Sequence, residues 1–199
     1  MPLWSRRYQL VVLGDSGVGK TALINQLCHQ QFVQTYNPST EVSMTRTQIS
    51  IDNQPYPLEV LDTAGTLDLE HDRCLEDWIR NSIGVVLVYD ATSRKSYDRI
   101  WYLLQRVHEI KGTFDFLPVM IVGNKSDKET TRVVSPDEGA ELAGKLGCMF
   151  GNTSAMNFKD VLDPFYRVAE VLVGSESPRG YAWRPLLGGD SDNGCCIIM

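Results

Sequence analysis

A chain of 199 residues, 22% of them charged and 43% hydrophobic, is the size and make-up of one soluble domain with a substantial core. Its net charge of −6 offers no basic footprint, which argues against nucleic acid as a partner. Its five cysteines, Cys28, Cys74, Cys148, Cys195 and Cys196, are odd in number and irregular in spacing, so the pattern predicts a reducing compartment rather than a disulfide framework or a zinc site.

The apolar run Tyr8–Leu13 reads as a strand and leads into Gly14-Asp15-Ser16-Gly17-Val18-Gly19-Lys20-Thr21. A helical stretch, Lys20–His29, follows and includes Ala22. The eight residues fit G-x-x-x-x-G-K-[S/T], and the strand–loop–helix setting is what gives that pattern its meaning. Glycines let the backbone wrap until successive N–H groups face phosphate oxygens, and the helix adds its positive N-terminal end. Lys20 is expected on the β and γ phosphates, and the Thr21 hydroxyl on Mg²⁺.

Downstream, strands are predicted over Thr45–Ile51 and Tyr56–Asp62, joined by a tight turn at Asp52-Asn53-Gln54-Pro55 that makes them antiparallel. A helix is expected over Leu69–Arg80, a strand over Gly84–Tyr89 and a helix over Ser96–Lys111. The chain continues with a strand at Leu117–Gly123, a helix at Pro136–Leu146, a strand at Cys148–Thr153 and a helix at Lys159–Val173. Val85–Val88 and Val119–Val122 are unbroken apolar runs, as strands covered on both faces require. The expected architecture is an α/β domain with a six-stranded, mostly parallel sheet, one antiparallel strand and helices on both faces, with ligand loops at the strand C-termini. Residues 1–173 form this domain; residues 174–199, rich in Gly, Ser, Pro and Asp, read as a flexible tail.

Two further segments bear on the ligand. Asn124-Lys125-Ser126-Asp127 follows a strand directly, and a carboxylate at Asp127 can accept from both the N1–H and the 2-amino group of guanine. Adenine presents neither donor there, so the carboxylate would be left unpaired, which is strong discrimination. Asn124 can tie neighbouring loops together, the Lys125 stem can cover the base, and the Ala155 N–H in Thr153-Ser154-Ala155 can donate to the 6-oxo group. Asp62-Thr63-Ala64-Gly65 ends the third strand; Asp62 suits Mg²⁺ held through water, and the Gly65 N–H suits close approach to a γ-phosphate.

Taken in order, Gly14–Thr21, Phe32, Tyr36-Asn37-Pro38-Ser39-Thr40-Glu41, Asp62–Gly65, Asn124–Asp127 and Thr153–Ala155 resemble a Ras-superfamily small GTPase, over about residues 8–173 plus the last four. Tyr36-Asn37-Pro38 and the C-terminal box place the likeness in the Ras branch. The resemblance implies GTP and GDP as ligands, with nucleotide contacts from Asp15, Ser16, Gly17, Val18, Gly19, Lys20, Thr21 and Ala22. Further contacts are implied from Phe32, Tyr36, Ser39, Thr40, Gly65, Asn124, Lys125, Asp127, Ser154 and Ala155. It implies Mg²⁺ on Thr21, Ser39 and Asp62, and in-line attack of water on the γ-phosphate aided by Lys20, Gly65 and Thr66. Residues 34–42 and 65–80 become switches for effectors, an exchange factor and a GTPase-activating protein.

The chain departs from the family in four places. Thr66 stands where most members carry a Gln that orients the attacking water; the Rap group resembles it in carrying Thr, and its activating partners supply the missing group. Slow unassisted hydrolysis is therefore expected, and a GTP-binding module that hardly turns over is the alternative. Ser16 replaces the glycine of Ras, as in many Rab-like relatives, and is read as modulating an incoming arginine. In the first switch either Ser39 or Thr40 can ligate Mg²⁺, with register favouring Ser39. The acids that normally flank that loop are replaced by Gln34, Thr35, Asn37 and Val42, so the usual Ras effectors do not carry over. The second switch, Thr66–Cys74, lacks Glu-Glu-Tyr. Its Leu67 and Leu69 suit a partner surface or the start of a helix tucked against its neighbour. A P-loop ATPase or small-molecule kinase is disfavoured by Asn124–Asp127.

Cys196-Ile197-Ile198-Met199 fits C-a-a-X with Met last, a farnesylation signal. One isoprenoid anchors only marginally, and the tail offers no polybasic patch, with no Lys and only Arg179 and Arg184 against Glu176, Asp190 and Asp192, so palmitoylation of Cys195 is the expected second signal. Pro2 excludes myristoylation, the N-terminus lacks a secretory apolar region, and no apolar run reaches the length of a membrane span. The expected location is the cytoplasmic face of the plasma membrane.

Overall fold

The computed structural model of the chain describes residues 8–32, 42–63, 73–112 and 117–175. Its elements are β1 (Tyr8–Leu13), α1 (Lys20–His29), β2 (Ser43–Ile51), β3 (Gln54–Asp62), α2 (Arg73–Asn81) and β4 (Gly84–Asp90). They continue with α3 (Arg94–Lys111), β5 (Val119–Asn124), a short 3₁₀ turn (Glu129–Thr131), α4 (Pro136–Lys145), β6 (Met149–Asn152) and α5 (Phe158–Ser175). The strands form one six-stranded sheet in the order β2-β3-β1-β4-β5-β6, antiparallel only between β2 and β3. The expected α/β architecture is thus observed.

Alternation along the strands divides the core. From β1, Leu10 and Val12 face one way with Val86 and Val88 of β4, against Leu23, Ile24 and Leu27 of α1 and Phe165, Val168 and Leu172 of α5. Val11 and Leu13 face the other way with Val85 and Leu87, against Leu75 and Ile79 of α2 and Ile100, Leu103 and Val107 of α3. Every residue of β4 and β5 is buried, which is why both read as unbroken apolar runs. Burying each such side chain contributes about 1.5–3 kcal/mol, so the strand C-termini are firm mounts for the loops that follow.

Several element ends differ from expectation for local reasons. The β2–β3 turn is tighter than Asp52–Pro55: Ile51 pairs with Gln54, and Asp52 and Asn53 both take positive φ, the primed hairpin geometry. β3 therefore starts at Gln54 and runs through Pro55 and Pro57. Among the described residues β1 pairs with it from Leu58 onward, and the proline stretch pairs with β2. β5 starts after Pro118 rather than at Leu117. α3 starts at Arg94 because the Ser93 side chain caps it, accepting from the Ser96 N–H. α4 is capped in the same way by Ser135, with Pro136 in its first turn. α5 runs to Ser175, past the expected end at Val173, and tolerates Pro164, which packs over Gly151. The stretch Leu69–Asp72, expected to open α2, lies outside the described residues, as does the tail from residue 176.

Candidate functional site

The C-terminal ends of β1, β3, β4, β5 and β6 lie at one rim of the sheet, as parallel pairing demands. The loop from Gly14 to Gly19 curls there with positive φ at Gly14, Gly17 and Gly19. At Gly19 only a glycine fits twice over. Its φ is +99°, and a Cβ would come within 2.4 Å of Asn124 Nδ2. At Gly14 a Cβ would meet the Val88 carbonyl of β4 at 2.3 Å. The loop is thereby pressed onto the sheet, and α1 begins immediately, the first helical bond running from the Leu23 N–H to the Gly19 carbonyl.

Lys20 sits at the head of α1, 5% exposed. Its Nζ donates to the Gly14 carbonyl at 2.8 Å and the Asp15 carbonyl at 3.0 Å, spanning the loop it follows. Burial lowers the Lys20 pKa to about 8, against the opposing pull of Asp62 and Asp15. Asp62, at the end of β3, is 3% exposed. Burial raises its pKa, opposed by a hydrogen bond from the Thr21 hydroxyl and by the charge of Lys20. Its Oδ1 is buried and has no hydrogen-bond partner among the described residues. A buried carboxylate oxygen lacking a protein donor, beside a hydroxyl and a phosphate-type loop, fits a hard divalent cation or water held by one. Next to it, the Thr63 hydroxyl donates to the Val12 carbonyl at 2.7 Å and fixes the β3 exit to β1.

A second group of residues follows β5. Asn124 is 1% exposed. Its Nδ2 donates to the Val18 carbonyl in the phosphate-type loop at 2.8 Å, and its Oδ1 accepts from the Thr153 hydroxyl at 3.3 Å. One buried amide thus joins three loops. Lys125 takes a positive φ of 64° and directs Nζ to the Gly17 carbonyl and to Asp90 Oδ2, each at 2.7 Å. Asp127 Oδ1 accepts from the Ser154 hydroxyl at 2.6 Å, which orients the carboxylate. The Ser126 N–H donates to the Thr153 carbonyl, and Arg132 Nη2 donates to the Ser126 carbonyl at 2.8 Å. Ala155 is buried beside this loop.

Lys20, Thr21, Asp62, Asn124, Lys125, Asp127, Ser154 and Ala155 therefore meet at one rim. Phe32 follows α1 and is 39% exposed. Tyr36, Ser39, Thr40, Gly65, Thr66, Cys195 and Cys196 lie outside the described residues. Four further residues hold the site together that the sequence reading gave no role of their own. Asp90 ends an otherwise apolar strand and holds Lys125, with burial raising its pKa but hydrogen bonds from Lys125 and Thr92 prevailing and lowering it. A carboxylate closing a fully buried strand was the available signal. Thr63, Thr153 and Arg132 act through hydrogen bonds to backbone or to Asn124, which spacing alone does not disclose.

The rim offers a phosphate-sized loop with a buried ammonium, a cation-suited carboxylate and hydroxyl, and an oriented carboxylate for a base edge. Residues 9–173 match the model of the family described as "Ras family". The chain is 45% identical to "Ras-like protein 1" of Pyricularia oryzae, with 92% of this chain and 81% of that one covered. It is 44% identical to "Protein ras-2" of Neurospora crassa, with 86% and 84% covered. It is likewise 44% identical to "Ras-like protein B" of Aspergillus fumigatus, with 83% and 77% covered.

Proposed function

The chain belongs to the Ras family and is a GTP hydrolase working as a guanine-nucleotide switch with regulators and effectors; on that premise we propose that it is a Mg²⁺-dependent, lipid-anchored switch whose unassisted turnover is slow. In this reading Lys20 turns from its own loop carbonyls to the β and γ phosphates, while glycine-rich backbone cradles them. Thr21 and Asp62, with Ser39 or Thr40 from the first switch, would hold Mg²⁺, which when bound neutralises phosphate charge. Support for its site is the partnerless Asp62 Oδ1.

Asp127 reads the guanine edge while Ser154 keeps its carboxylate aimed, and the Lys125 stem lies along the site with its ammonium fixed by Asp90 and Gly17. Phe32 and the Ala155 N–H complete the base contacts. Thr66 offers one hydroxyl in place of a longer amide, so it orients water poorly and turnover depends on a partner protein. Single-turnover hydrolysis should be faster in Thr66→Gln, and an unchanged unassisted rate would contradict this role.

Residues 1–173 carry the nucleotide chemistry in this reading, and residues 174–199 carry the anchor, farnesyl on Cys196 and palmitoyl on Cys195, at the cytoplasmic face of the plasma membrane. Effectors, exchange factor and activating protein meet residues 34–42 and 65–80.

The observation that carries the nucleotide reading is the bond from Asn124 to Val18, which sets the base-reading and phosphate-binding loops on one frame. Its test is nucleotide analysis of purified protein, with and without EDTA, followed by competition. Bound guanine nucleotide released by EDTA is expected, and Asp127→Asn should shift preference from guanosine to xanthosine nucleotides. Protein that emerges empty and indifferent to magnesium, or Asp127→Asn protein that keeps full guanosine preference, would overturn it.

A further inference from the structure

Asp15 and Arg99 form a contact to which the nucleotide reading assigns no role. Asp15 is the second residue of the phosphate loop, and its carboxylate faces α3. Arg99 Nε of that helix stands 3.7 Å from Asp15 Oδ1. The Nε–H is buried and has no hydrogen-bond partner among the described residues, and at 3.7 Å the link to Asp15 is ionic. On its other side the guanidinium lies over the Tyr102 ring, 4.8 Å from the centroid, which narrows its choice of rotamers. The pair is partly wet, Arg99 being 41% and Asp15 27% exposed at the side chain.

A carboxylate inside a loop that wraps phosphates is a like charge to its ligand. GTP carries a γ-phosphate that GDP lacks, so an uncompensated Asp15 would weaken GTP more than GDP. Arg99 supplies the opposite charge from a neighbouring helix. We propose that Arg99 is a positioning residue that neutralises Asp15 and thereby sets the preference of the phosphate loop for GTP over GDP. This rests on the guanine-nucleotide reading of the same site.

The test uses the full-length chain, fluorescent GDP and a fluorescent non-hydrolysable GTP analogue, with Mg²⁺ present. For a partly exposed pair the expected effect is modest, about a three- to fivefold fall in the GTP-analogue-to-GDP affinity ratio in Arg99→Gln. The fall should shrink at high salt. Arg99→Lys should keep most of the ratio, and adding Asp15→Asn to Arg99→Gln should restore it, because the charge needing compensation is then gone. An unchanged ratio in Arg99→Gln would overturn the proposal. So would an equal loss for both nucleotides that Asp15→Asn does not rescue, since that is the mark of a merely structural side chain. Wild-type protein that bound neither nucleotide would overturn the functional reading and this inference together, whereas normal wild-type binding with an unmoved ratio would overturn this inference alone.

Discussion

Asn124→Ala should loosen the nucleotide site and the fold at once. The amide donates to the Val18 carbonyl at 2.8 Å and accepts from the Thr153 hydroxyl at 3.3 Å, and all three residues are buried. Truncation strands the Val18 carbonyl, a loss of about 1–3 kcal/mol for a buried group left unsatisfied. The Thr153 bond is long, so its loss adds about 0.5–1 kcal/mol. The sum is about 1.5–4 kcal/mol, a large share of the stability of a domain this size. Urea unfolding at several GDP concentrations, read by the midpoint and slope and extrapolated to zero GDP, measures it, because weaker nucleotide binding by the variant would otherwise add its own linkage term. GDP dissociation should accelerate at least tenfold, since about 1.4 kcal/mol suffices for that. The cycle with Thr153→Val isolates the longer bond and should give a coupling below about 1 kcal/mol. A total loss under about 1 kcal/mol at unchanged slope would refute the claim that this amide joins the loops.

Gly19→Ala forces a methyl into a left-handed backbone position and against Asn124 Nδ2 at 2.4 Å, so a destabilisation of about 2 kcal/mol or more is expected, with nucleotide lost during purification. For Asp90, burial favours the neutral acid but the hydrogen bonds from Lys125 and Thr92 win, holding the carboxyl below its ordinary 3.8. Its contribution is therefore complete above 3.8 and is lost as pH falls through the lower folded value, so the stability gap between wild type and Asp90→Asn should narrow with acid. A gap that stays constant from about pH 6 to about pH 2 in chemical denaturation would count against it. Cys195→Ser should leave farnesylation intact yet move the protein from plasma membrane to endomembranes or cytosol; unaltered plasma-membrane staining would remove the case for a second lipid.

Much of this molecule was readable before any coordinates. Val85–Val88 and Val119–Val122 announced doubly covered strands, and Gly14–Thr21 announced the turn into α1, because burial and glycine geometry leave marks in residue type. What spacing conceals is partnership. Lys125 was expected to lie along a base, and the chain shows its ammonium tied to Asp90 and Gly17. Ser154 was expected beside the nucleotide, and its hydroxyl also aims Asp127. Element ends were missed where a single hydroxyl or ring decides them. The Ser93 side chain starts α3 at Arg94, two residues ahead of the expected Ser96, and the two positive φ values at Asp52 and Asn53 let β3 begin at Gln54.

The division of the core by the sheet has a mechanical meaning. The helix that follows the glycine-rich loop shares its apolar layer with α5, whereas α2, which succeeds the segment proposed as the second switch, shares the opposite layer with α3. Rearrangement on the α2 side after γ-phosphate departure can thus proceed behind a partition, without unseating the grip on the two phosphates that stay. The diphosphate product would remain clamped, and discharge of the spent nucleotide would need an outside lever rather than follow from hydrolysis itself.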